Sequence, residues 1–391
     1  MVPLLEYDPL DPATLANPYP VYAQLREQSP VFWHELMQSW VLTRYEDCIK
    51  VLRDYELFAR DWRRVGEAVP QSSLSVQSLD PPAQTVLRSL FLEALHLQDL
   101  DGIGRRVQDT LTQIFVEVAE NEFEVQRSLA APLALQVISD LLGIVPPDLE
   151  SFGAVSDAIM RSMDAGLVPE AAEPGRLAKE ELTTLVELWL HTADQAGLLT
   201  SVMRQTNTAG IPENYVRNTA RVMFQGGYST MSAAIGNVVL TLLRHPWVLD
   251  QLAEPRFLRK GVNELIRYDG PVQGTSRVAT RDTRIAGTTL RKGQAVLVLF
   301  GAANHDPKQF HCPDTLVLDR SPNQHLGFGW GPHSCIGTTV IFVVLRALIT
   351  SLLAWPKRLS QTRPAQYRNT ATMRSPDTLF VAFAHAHDNH A

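Results

Sequence analysis

Apolar residues recur at three- and four-residue spacing through most of the chain from Pro82 to His245, the period of helices that bury one face. Gln84–Ala94, Leu100–Glu120, Leu129–Leu142 and Leu149–Met163 each follow it. Gly143 is a C-cap signal after the third of these, and Pro146–Pro147 precede the next start. Leu177–Ala196 is amphipathic through Leu182, Leu185, Trp189 and Leu190. Pro212 to His245 predicts one very long helix, with Pro212 suited to its first turn and His245–Pro246 marking its end. Gly226 and Gly227 fall in its middle, where each costs about 1 kcal/mol relative to alanine. A tolerated pair points to close packing or to a local kink.

The flanking regions read differently. Pro18–Glu27 and Glu46–Arg53 predict short helices and Ser39–Thr43 a strand. Arg60–Gln77 is polar without a clean period, which predicts a long loop of the kind that often binds something. After a helix at Leu258–Tyr268, the runs Val278–Thr280, Thr283–Ile285, Thr288–Leu290 and Ala295–Phe300 predict strands, with Gly287 and Gly293 as turn residues. A Pro- and Asp-rich passage, His305–Pro322, leads to a glycine-rich loop and a last helix, Ile336–Ala354; Thr378–Phe383 predicts a strand. The pattern is a mainly α fold with small β-sheets (α+β), expected to form a single domain over residues 1–391.

Composition narrows the function classes. The 391 residues are 45% hydrophobic and 20% charged, with a net charge of −7, which does not favour a nucleic-acid partner. No apolar run reaches a membrane span, since Arg346 interrupts the longest, Thr339–Leu353. The acidic, proline-containing stretch Met1–Asp11 lacks the basic start and apolar centre of a signal peptide, so a cytoplasmic protein is expected. Cys48, Cys312 and Cys335 are too few for a disulfide framework. Cys48 lies in an apolar helical pattern, and no second pair accompanies His311–Cys312 at a zinc-like spacing.

Cys335 has a different setting: His325-Leu-Gly-Phe-Gly-Trp-Gly-Pro-His-Ser-Cys335-Ile-Gly337. Closely spaced glycines let the backbone pass near a flat ligand, with Phe328 available to pack near the sulfur. A cysteine at a helix start is favoured as the thiolate. One thiolate without a partner cysteine suits haem iron better than zinc or an iron–sulfur cluster.

Phe328, Gly331, Cys335 and Gly337 match the F-x-x-G-x-x-x-C-x-G loop, and the chain resembles the cytochrome P450 family of soluble bacterial type. The resemblance implies haem b (iron protoporphyrin IX) between the long central helix and the Cys-loop helix, with Cys335 as the metal ligand. Glu264 and Arg267 match the family's structural E-x-x-R pair. Arg88, Arg277 and His333 match its propionate-binding positions; Gln84 stands where a histidine is usual and could only hydrogen-bond. Gln225-Gly-Gly-Tyr-Ser-Thr230 matches the oxygen-activation stretch, with Thr230 at the threonine position and Ser229 where an acid is usual. A serine hydroxyl is too weak an acid to act alone and can only relay protons through water. After the cysteine, Phe342 and Val344 replace the usual Arg and Glu, leaving Arg346 as the nearby charge on the side where a redox partner docks.

By position in the family, substrate contacts come from Arg60–Gln77, Met163–Leu167, Met223, Gly226, Gly227, Val272, Gln273, Thr275, Thr372 and Met373. The resemblance implies a monooxygenase that uses dioxygen and two electrons from a ferredoxin-type partner on a small, largely apolar molecule, a secondary-metabolite intermediate that a carrier protein could present. The other readings are haem-thiolate chemistry driven by peroxide or nitric oxide, and a catalytically silent haem-binding scaffold.

Overall fold

The computed structural model describes residues 7–384, apart from the side chains of residues 207–209. Met1–Glu6, part of the stretch read above as lacking a targeting signal, lie outside the described residues. The long helix runs from Glu213 to Arg244, and every residue from Met231 to Leu242 is buried. A helix buried on all sides belongs in the interior. Helices Ala131–Leu142, Ala172–Thr192 and Pro255–Asp269 pack around it.

Its two glycines have opposite surroundings. A Cβ on Gly227 would lie 2.5 Å from Ile138 Cδ1, whereas one on Gly226 would meet nothing within 4 Å. Close packing therefore explains Gly227, and Gly226 borders open space. Gly227→Ala is expected to cost about 1–3 kcal/mol through overpacking. Gly226→Ala should gain up to about 1 kcal/mol of helix propensity. Urea unfolding reads the difference, and equal effects would contradict the packing described.

Several boundaries move. The helix expected from Leu177 starts at Ala172, because its first turns are exposed and carry ion pairs (Arg176 to Glu173 and Glu180) instead of an apolar period. Helix Ala131–Leu142 follows a wider π turn at Gln126–Ala130. A helix at Leu198–Ala209, which the pattern did not single out, buries Leu198, Leu199 and Val202. The Arg60–Gln77 segment holds short 3₁₀ turns at Trp62–Val65 and Gln71–Ser73.

The largest sheet has five strands in the order Val31–His34, Ser39–Leu42, Ala295–Leu299, Gly274–Ala279, Phe58–Ala59. Ser39–Leu42 runs parallel to Ala295–Leu299, and the other pairs are antiparallel. Strand Gly274–Ala279 begins four residues earlier than the pattern predicted, so Thr275 and Arg277 share one of its faces. The C-terminal strand divides, with Pro376–Thr378 pairing to Gln366–Tyr367 and Phe380–Ala384 joining Phe123–Glu124 and Arg358–Gln361. Among the described residues, no helix is long and apolar enough to cross a membrane.

Candidate functional site

Helix Pro255–Asp269 supports the segment leading to Cys335. Residues three apart share a helix face, and the Glu264 and Arg267 side chains there are wholly buried. Arg267 Nε and Nη2 each donate to Glu264 at 2.8 Å, and Nη1 donates to the Asn304 and Pro313 carbonyls. Glu264 also accepts from Arg320 Nε at 3.0 Å, the Val317 N–H at 3.1 Å and Asn323 Nδ2 at 3.1 Å. One carboxylate thus gathers the 313–323 passage onto the helix. At the next step, His325 accepts the Gly327 N–H on Nδ1 and meets Asn263 Oδ1 through Nε2, the arrangement of a neutral ring. Burial, and then the Arg267 charge, push this imidazole down to about 3.

The loop then turns tightly. Gly331 has φ of 71°, and a Cβ there would lie 2.6 Å from the Leu52 carbonyl oxygen, so both conformation and space require glycine. The Cys335 N–H donates to the Phe328 carbonyl at 2.8 Å. The Phe328 ring sits 5.7 Å from that of Phe342, at one of the positions where the family's charge is missing. Val344, at the other, is fully buried, and Arg346 is exposed.

The final helix begins at Thr338, with Gly337 as its N-cap, two residues later than the pattern predicted. Cys335 therefore precedes the helix. Surrounding protein pushes its thiol up, while the Gly337 N–H, the Thr338 hydroxyl and the Arg88 charge act in the opposite direction. The residue is nevertheless exposed. A Cβ on Gly337 would make only ordinary contact with Cys335 Sγ, at 3.8 Å.

Two arginines near this loop have no carboxylate partner among the described residues, whereas His333 meets one acid, Asp80. Arg88 donates to the Ser334 carbonyl at 2.7 Å and to its hydroxyl at 3.1 Å. Arg277 is buried and donates to Thr275 Oγ1 and the Ser276 carbonyl. Burial, followed by the charge of Arg60, pushes it down to about 9. His333 Nε2 meets Asp80 Oδ1 at 3.2 Å, and its Nδ1 is buried without a partner. Gln84 is the exception: its amide is turned to the Pro332 carbonyl at 2.7 Å, supporting the loop. Asp80 and Arg60 belong to this cluster, although Asp80 has no role legible in the sequence and Arg60 only a place in the 60–77 stretch expected to contact substrate. Their signal was faint, a single acid before two prolines and one arginine in a polar run.

On the central helix, Thr230 Oγ1 donates to the Gly226 carbonyl at 2.6 Å and Ser229 Oγ to the Gln225 carbonyl at 2.8 Å. Met223, Gly226, Gly227, Ser229 and Thr230 are all only partly buried, just before the wholly buried stretch 231–242 of the same helix. Val272 and Met373 form a β-bridge and pack with Met160 and Ala233. Gln273 does not join them. Its side chain accepts from the Tyr22 hydroxyl and donates to the Gly270 carbonyl, because strand alternation turns it away from its neighbours. Thr275 is engaged by two arginines. Asp164 accepts from Ala371 N, Thr372 N and the Thr372 hydroxyl, joining the turn near Met163 to the Met373 turn.

The donor set fits haem. A soft sulfur is presented by a tightly turned loop, beside Arg88 and Arg277, which form no ion pair among the described residues, and the buried His333 Nδ1, which has no hydrogen-bond partner there, as a dicarboxylate requires.

A family model described as Cytochrome P450 matches residues 187–355. The chain is 29% identical over 357 residues to the biotin biosynthesis cytochrome P450 of Bacillus subtilis (strain 168), spanning 87% of this chain and 89% of that one. It is also 29% identical over 371 residues to the cytochrome P450 monooxygenase PikC of Streptomyces venezuelae, covering 90% and 86%. The solved structure of P450BioI in complex with a hexadec-9Z-enoic acid ligated acyl carrier protein superposes with a TM-score of 0.83 at 26% identity, covering 95% of this chain and 99% of that one.

Proposed function

The chain belongs to the cytochrome P450 family as a monooxygenase, and we propose that it hydroxylates or epoxidises a small, largely apolar secondary-metabolite intermediate, with haem b held by the Cys335 thiolate. The observation that carries this reading is the exposed cysteine beside Arg88 and Arg277, two arginines with no ion pair among the described residues. Haem, when bound, supplies the centre at which dioxygen is activated with two electrons. The Cys335 thiolate would donate electron density to it. Arg88, Arg277 and His333 would hold its propionates, and Phe328 and Gly337 would flank the sulfur. In this proposal the whole chain works as one domain in the cytoplasm.

The remaining chemistry is orientation and proton supply. Gly226 leaves room beside the helix, and Met223, Gly227, Val272 and Met373 offer an apolar or small surface that excludes water from a bound substrate. Thr230 presents its hydroxyl one turn from Gly226, where it can hand on a proton. Ser229 extends the relay by one hydroxyl, with water as the source. Ser229→Ala is expected to lower the fraction of NADPH consumption that appears as product, by several-fold, in assays with a surrogate ferredoxin and reductase. An unchanged fraction would remove Ser229 from the relay.

Electrons would come from a ferredoxin-type partner; the apolar Phe342 and Val344 leave Arg346 as the charge available to it on this helix. The acyl-carrier complex of P450BioI supports a substrate delivered on a carrier protein. The hydroxyl at position 229 favours one second reading, oxidation driven by peroxide or chemistry on nitric oxide, neither of which needs the same proton supply. Turnover with peroxide that equals or exceeds ferredoxin-driven turnover would select it.

A further inference from the structure

Arg60 has no assigned part in holding the cofactor, yet its guanidinium lies beside that of Arg277. Arg60 Nη1 donates to Thr275 Oγ1 and to the Ser276 carbonyl, both at 3.0 Å. Arg277 Nη1 donates to the same two acceptors, at 3.2 and 2.8 Å. Asp80, the neighbouring acid, already accepts the Arg60 and Asp61 N–H groups and meets His333 at 3.2 Å and Arg64 at 3.5 Å. Neither Arg60 nor Arg277 forms an ion pair with a carboxylate among the described residues.

A guanidinium keeps its proton in a protein. Here Arg277 is buried and Arg60 half-buried, so two guanidiniums that share acceptors repel each other, and an anion set against both would relieve the repulsion. Burial lowers the pKa of each, and Arg60 lowers that of Arg277 further; Asp80 acts the other way on both, without an ion-pair contact to either. Meanwhile Gln84, in the place of the family's imidazole, faces the Pro332 carbonyl. One expected propionate donor is thus withdrawn where an extra arginine is supplied. Arg60 Nε also donates to the Gln77 carbonyl at 2.9 Å, closing the 60–77 segment on itself.

We propose that Arg60 is a further haem-anchoring residue, forming with Arg277 a two-guanidinium clamp on one propionate, so that bound haem holds the 60–77 segment closed through the Arg60–Gln77 bond. The proposal rests on the haem-thiolate reading of the site. Its test is haem transfer from the purified ferric holoenzyme to excess apomyoglobin, together with the ferric/ferrous midpoint potential of the substrate-free protein.

Arg60→Gln is expected to lose haem roughly tenfold faster, as for one charge-assisted bond, and to have a lower midpoint, because a cation near the iron favours the ferrous state. Arg60→Lys should keep the midpoint while losing haem several-fold faster, since one ammonium cannot reproduce the forked contacts. Arg63→Gln, an exposed neighbour paired with Asp61, should change neither. Wild-type haem loss and midpoint in Arg60→Gln would overturn the clamp, whether the variant then showed a higher KM for an acidic substrate or only faster amide exchange over 61–77. Should Arg60→Gln not accumulate, wild-type haem loss in Arg60→Lys overturns it equally. Retention of the thiolate absorbance in any of these variants leaves the haem-thiolate reading standing, so the two claims fail separately.

Discussion

A Cys335→Ala variant is expected to fold, to lose the thiolate-specific absorbance of its reduced carbon-monoxide complex, and to retain less than about one-thousandth of wild-type turnover, roughly 4 kcal/mol of barrier. The fold should survive because the cysteine contributes little to it. The residue is exposed, it precedes the helix instead of packing inside it, and its N–H bond to the Phe328 carbonyl belongs to the backbone. The chemistry should not survive, since no other cysteine is at hand. Cys48 is buried beneath the sheet and Cys312 lies in the 305–322 passage. An unchanged carbon-monoxide spectrum would sink the assignment of the sulfur, and with it the proposed mechanism.

Glu264→Ala is expected to have the largest effect on stability. The carboxylate compensates two guanidiniums, those of Arg267 and Arg320, in a place where the paired side chains are almost wholly excluded from water. Removing one partner of a buried pair leaves an uncompensated charge, which costs about 3–5 kcal/mol. Here two cations and the Val317 N–H lose their acceptor together, so the upper end of that range applies. Arg176→Ala, which removes an exposed pair to Glu173 and Glu180, should cost less than about 1 kcal/mol. Urea unfolding of both variants gives the comparison. Similar midpoints would show that Glu264 does not hold the 313–323 passage.

Where a single physical requirement dominated, the sequence was enough. The central helix, the helix of Glu264 and Arg267, and the strands around Gly287 and Gly293 were legible because burial on one face or a tight turn leaves a periodic mark. The glycine-rich loop was legible because a left-handed position against the Leu52 carbonyl admits little else. Legibility failed where the determinant is a partner distant in sequence. Gln84 reads as a polar residue at a propionate position, and only the approach of the Pro332 carbonyl shows where its amide goes. Gln273 reads as a pocket residue until Tyr22, some 250 positions earlier, claims its side chain. Arg60 was hidden because its neighbour Arg277 sits 217 residues away on strand Gly274–Ala279, where Thr275 serves both. Two 3₁₀ turns in the polar 60–77 run left no period to detect.

The five-stranded sheet has a consequence for how the chain is made. Ser39 pairs in parallel register with Ala295, and Phe58 pairs with Ala279, so strands Ser39–Leu42 and Phe58–Ala59 must each wait for more than two hundred residues to be synthesised. At ribosomal rates of about 5–20 residues per second, that interval is roughly 10–50 s. Throughout it, Val41 and Leu42, fully buried in the finished protein, have an unpaired strand edge beside them. The helices between Pro82 and His245, built from local contacts, can form within that time. Recovery of folded protein should therefore depend on what shields the N-terminal hairpin during translation, and chaperone supply or slower growth temperature is the lever to apply there before any change to the site.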